Sequence, residues 1–160
     1  MYLELLIGAL ITDMIGMILS FMSNAFKSKY VTAWYRKFTL GAVLADVTVI
    51  MLGVLVSKFI YPFIFTNFNL LKFIALTLFL QIIHDLLFGY FISYSKSRSP
   101  ILTIFKFYAM ESKFHIIFFD SLMMISTILI MTFLQKFSTN LKLFILTLSL
   151  YILTFLLYSF

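Results

Sequence analysis

Four aspartates, Asp13, Asp46, Asp85 and Asp120, stand inside stretches otherwise apolar enough to cross a membrane, with His84 beside Asp85 and Gln81 one helical turn before it. Carboxyls and an imidazole in that setting are the usual materials of proton and ion pathways, because each can exchange a proton or hold a cation. An aspartate at mid-helix costs roughly 2.5–3.5 kcal/mol on insertion scales, so four oppose insertion by about 10–14 kcal/mol unless they meet partners inside the protein. The plainer chemistry is interhelical hydrogen bonding to His84, Gln81, Thr48, Ser121 or Ser126, which fixes helix register and transports nothing. Lys37, Arg36 or Lys113 could instead reach inward as counter-charges. Catalysis finds no pattern: HExxH, GxSxG and P-loop motifs are absent, and no catalytic residue is assigned. One intramembrane histidine among scattered aspartates is a poor metal set, so neither a metal nor a cofactor is expected. The chain has no cysteine, which removes disulfides, thiolate ligands and thiol nucleophiles.

The elements that must position these residues are long apolar helices. Of 160 residues, 63% are hydrophobic, 19% aromatic and only 11% charged, a composition that describes a polytopic membrane protein and leaves no stretch able to form a separate aqueous core. The fold class expected is an all-α transmembrane bundle of about five spans, one domain over 1–160, with spans near Met1–Met22, Thr39–Tyr61, Leu70–Ser93, His115–Gln135 and Leu141–Phe160. The first span lacks a basic leader and a cleavage site of small residues, and reads as a retained helix. The first connection mixes Lys27, Lys29, Arg36 and Lys37 with Trp34 and Tyr35, a headgroup-facing composition. Pro62, Asn67 and Asn69 punctuate the second. The third carries Lys96, Arg98, Lys106 and Lys113 and, from Ile101 to Ala109, the apolar spacing of a short interfacial helix. The fourth, Lys136–Asn140, is short enough to fold the last two spans into an antiparallel hairpin.

Alternate connections share a leaflet. The first and third hold eight Lys and Arg against four for the second and fourth, which places the first and third in the cytosol, the N-terminus outside or lumenal and the C-terminus inside. Measured from the basic end of its own span, each aspartate lies five to ten residues in, a layer roughly 8–15 Å deep on one side of the membrane. The four are therefore expected to be able to meet. Their stripes are Ala42, Asp46, Val49 and Gly53; Gln81, Asp85 and Gly89; and Asp120, Met124, Thr127 and Met131. In the first span Gly8, Thr12, Gly16 and Ser20 form a seam of small residues for close helix approach, with Asp13 one step off it.

The blocks WYRKFTLGAVLADVTVIMLGVL around Asp46, QIIHDLLFGYF around His84 and Asp85, and FYAMES with FFDSLMMIS around Asp120 resemble a family of small multi-span membrane proteins of large nucleocytoplasmic DNA viruses. The resemblance implies a component of the virion's inner membrane or of a host-derived membrane such as the endoplasmic reticulum, and supplies no catalytic residues. Heavy Phe, Ile, Leu, Tyr and Lys usage also fits a mitochondrion-encoded respiratory subunit, which stays open as an origin. The leading expectation is a structural or assembly component that is not an enzyme. Its contacts to headgroups, capsid or other membrane proteins would run through Lys27, Lys29, Trp34, Arg36, Lys37, Lys96, Arg98, Lys106 and Lys113. The alternative is a small proton- or cation-conducting channel or transporter using Asp13, Asp46, Gln81, His84, Asp85 and Asp120, as a homo-oligomer if one bundle cannot enclose a path. The net charge of +6 is spread over connections and span ends, so nucleic acid is not an expected partner.

Overall fold

The computed structural model describes residues 1–22, 29–96, 99–111 and 113–159. Seven helices form among them: α1 Tyr2–Met22, α2 Lys29–Phe38, α3 Leu40–Ile64, α4 Leu70–Tyr94, α5 Pro100–Glu111, α6 Lys113–Leu134 and α7 Thr139–Ser159. No strand occurs among the described residues. The protein is an all-α bundle in which five helices, α1, α3, α4, α6 and α7, are long and apolar enough to cross a membrane. Their ends fall within three residues of the apolar limits, the largest shift being at α3. It runs past Pro62 to Ile64, because the Phe65 N–H reaches the Tyr61 carbonyl at 2.9 Å and carries the last turn beyond the proline. Phe160 lies outside the described residues.

The first span is the axis of the bundle. Its apolar window is 56% buried against 17–33% for the other four, and it packs on α3, α6 and α7. The seam of small residues explains the contact with α6. A Cβ at Gly8 would stand 3.0 Å from the Thr127 carbonyl oxygen, and the Thr127 hydroxyl donates to that of Thr12 at 3.2 Å. Met124 closes the interior from the other side, its methyl lying over Gly53 of α3. On α3 the buried residues are Ala42, Val43, Val47, Ile50, Val54, Ser57 and Tyr61; Ala42 of the expected Ala42, Asp46, Val49, Gly53 stripe is among them, while Val49 is exposed, so below Ala42 the buried face is rotated from that stripe. A repeat of three and four residues, not strictly four, follows the 3.6-residue turn.

The last two spans do not form a packed hairpin. A short turn joins α6 to α7, but α7 lies on α1 through Lys142, Ser149 and Leu153. The reason is electrostatic: Glu4 of α1 and Lys142 of α7 form a buried ion pair, and Glu4 also meets the Met1 amino group. At the same end of the bundle the Tyr61 hydroxyl donates to the Asn67 carbonyl at 3.0 Å and accepts the Asn69 N–H at 2.9 Å, tying off the α3–α4 turn.

At the opposite end α2 and α5 pack on each other, with Trp34 and Phe105 ring centres 4.8 Å apart and Tyr30 stacked on Phe107 at 5.8 Å. This contact brings the first and third connections to one end of the bundle. The sequence led to one short helix there, and the structure has two. Thr39 makes the joint between α2 and α3 with φ 44°, a left-handed conformation that a β-branched residue adopts only under strain, and it folds α2 back over the bundle.

Candidate functional site

Beneath α2 lies the acidic layer. Asp13 of α1 is fully buried, and the hydroxyl of the buried Tyr35 donates to its Oδ1 at 2.7 Å. Asp46 on α3 lies near enough to the same phenol for its charge to act on it, and its Oδ2 accepts the Trp34 indole N–H at 3.0 Å. On α4 Gln81 Nε2 donates to Asp85 Oδ1 at 2.7 Å, and His84 Nδ1 lies 3.2 Å from the same oxygen. Asp120 of α6 faces both Asp85 and Asp46 closely enough to feel their charges. Four carboxyls from four helices thus form one connected group: Asp13, Asp46, Asp120 and Asp85.

Local sequence explains the arrangement. Consecutive residues on a helix diverge by about 100 degrees, so Trp34 and Tyr35 reach two different helices from one turn of α2. Gln81 and Asp85 are four apart and share a face of α4. His84 points elsewhere: its side chain is 48% exposed while that of Asp85 is 9% exposed, and the imidazole stacks on Phe88. Burial pushes the Tyr35 phenol well above its ordinary 10.0, and the Asp13 and Asp46 carboxyls add to the shift, so it stays a neutral donor.

The structure moves several expected partners. Trp34, grouped by sequence with the headgroup contacts, is buried and serves the acidic layer, because α2 turns its indole inward. Thr48 is exposed, and the polar contacts to the layer come from Trp34, Tyr35, Gln81 and His84. Arg36 and Lys37 are exposed as well, Lys37 lying over the Phe38 ring and not reaching inward as a counter-charge. Lys29, Lys96 and Lys106 are exposed too. Lys27, Arg98 and the side chain of Lys113 lie outside the described residues.

Two features escaped the sequence reading. Tyr35 gave a signal in hindsight, since Val31, Trp34, Tyr35 and Phe38 follow helical spacing in a segment otherwise polar. The Glu4 and Lys142 pair gave none beyond two charges near span ends. Among the described residues no three His, Asp or Glu side chains converge closely enough to hold a metal ion. No protein-family model, curated protein or solved structure matches this chain.

Proposed function

We propose that this chain is an integral membrane scaffold that presents a basic platform, built from α2 and α5, to headgroups and assembly partners. The observation that carries the reading is that α2 is fastened from beneath and charged on its outer face. Trp34 and Tyr35 are buried against Asp46 and Asp13, while Lys29, Arg36 and Lys37 are exposed, with Lys106 exposed on α5 beside them. A short helix so anchored holds its cations in a fixed pattern, which a free loop does not. The acidic layer is then the fastening, and the chain catalyses no reaction. The excess of Lys and Arg puts the platform on the cytosolic side. The viral resemblance makes the host membrane a virion inner membrane or its precursor, and the partner a capsid or membrane protein.

Charge reversal tests this reading in cells that produce the particle. Lys29→Glu, Arg36→Glu and Lys37→Glu together leave membrane insertion intact and lower particle yield. Unchanged yield with normal insertion overturns it.

A further inference from the structure

The acidic layer contains more proton-binding capacity than a fastening needs. Asp13 Oδ2 and Asp85 Oδ2 are buried with no hydrogen-bond partner, although the other oxygen of each accepts a strong donor. The Asp13 side chain is entirely buried and that of Asp85 nine-tenths buried. Charge balance sharpens the point. Among the described residues, the titratable groups facing the layer are Asp13 from α1, Tyr35 from α2, Asp46 from α3, His84 and Asp85 from α4, and Asp120 from α6. The α5 helix lays Phe105 against Trp34 and Phe88, its Tyr108 is half-buried and its Lys106 is exposed. Among the described side chains, no Lys or Arg forms an ion pair with any of the four carboxyls. Four carboxyls, Asp13 fully buried and Asp46, Asp85 and Asp120 partly buried, face one imidazole and cannot all be ionised in an apolar interior, so the layer must carry protons.

We propose that the layer is a proton-exchange site, loaded at the Oδ2 atoms of Asp13 and Asp85, with His84 as its entrance. His84 is the group of the set with a half-exposed side chain, and its Nδ1 already contacts Asp85. The step is a simple transfer. An imidazolium gives its Nδ1 proton to Asp85 Oδ1, the oxygen it contacts, leaving a neutral imidazole and a carboxylic acid whose rotation about the Cβ–Cγ bond exchanges the two oxygens. Within the acid, the Oδ1 atom keeps its Gln81 donor, and Oδ2 is the oxygen on which a proton displaces no existing hydrogen bond. Asp120 lies within electrostatic reach of Asp85 and Asp46, and Asp46 within reach of Asp13, so protonation of any member lowers the repulsion felt by the next. The ligand is the proton and not a metal cation, because no three of the carboxyls converge on one point among the described residues.

Infrared spectroscopy of the full chain in lipid bilayers tests the site through the carbonyl stretch of protonated carboxyls, which is separate from the carboxylate bands. The folded parent at neutral pH is expected to show this stretch, to lose part of it in Asp13→Asn, and to shift it on transfer to D2O. In His84→Ala the band keeps its intensity but its exchange with D2O slows roughly tenfold or more, as expected when a general acid is removed. A parent without the band, or a His84→Ala variant that exchanges at the parent's rate, overturns the proposal. If Asp13→Asn fails to fold, the parent spectrum and His84→Ala decide alone. Neither readout touches Lys29, Arg36 or Lys37, so this proposal and the scaffold reading fail separately.

Discussion

The Tyr35 hydroxyl donates to Asp13 Oδ1 at 2.7 Å, joining a helix at the membrane surface to the most buried carboxyl of the bundle. Twenty-two residues separate the two in sequence. Replacing Tyr35 by Phe keeps the ring among its neighbours and removes the one donor. The expected loss is about 1–3 kcal/mol, the cost of leaving a buried acceptor unpaired. Chemical unfolding in detergent or lipid measures it, and in Asp13→Leu the second substitution Tyr35→Phe should cost much less.

Alkaline pH should release α2. The Tyr35 phenol titrates well above 10.0 when buried and near that value when α2 is detached, so the detached form gives up its proton first. The contribution to stability is therefore complete below about pH 10 and declines as pH rises toward the folded value. Trp34 is the single tryptophan of the chain and lies in the same helix, so its fluorescence reports the release directly. Tyr35→Phe should remove this component of the alkaline transition.

The Glu4 and Lys142 pair should behave as a buried ion pair. Lys142→Met leaves Glu4 with the Met1 amino group alone and should cost about 3 kcal/mol, the lower end for breaking such a pair because one counter-charge remains. Glu4→Gln combined with Lys142→Met should recover most of that loss. Thermal unfolding of the two single variants and the double variant gives the coupling, and additive losses would contradict it.

Two glycines of the same seam should differ. At Gly8 an added Cβ meets a backbone oxygen at 3.0 Å, so Gly8→Val should separate α1 from α6 at a cost of about 1–3 kcal/mol. At Gly16 the nearest atoms are the flexible end of Met123 at 3.9–4.0 Å, ordinary contact, and Gly16→Ala should change stability little. Side-by-side unfolding of the two variants checks the contrast.

Much of this architecture is legible in one dimension. Apolar length marks the five spans, because the requirement to cross hydrocarbon acts on each segment independently. The common depth of the aspartates follows from counting along each helix from one end. What could not be read is what depends on pairing between distant segments. The turn before α7 is short, which favours α6 as its neighbour, yet Lys142 finds Glu4 138 residues away. The α2 helix was hidden for another reason: ten residues with mixed polarity form a stable helix only when a tertiary partner receives their inner face. Its partner is Asp13 with Asp46, and no local pattern names them.

The central place of α1 bears on how the chain is made. Of the seven described helices α1 is translated first and is the most deeply buried of the five spans, and it arrives with Glu4 and Asp13 before Lys142 and Tyr35 have been translated. Each of the two charges therefore waits, Asp13 for the 22 residues that separate it from Tyr35 and Glu4 for the 138 that separate it from Lys142. A nascent chain halted before α7 would hold α1 against α3 and α6 with Glu4 exposed on its outer side. Such a half-finished bundle offers a membrane chaperone or a quality-control protease a mark of incompletion that vanishes when α7 docks.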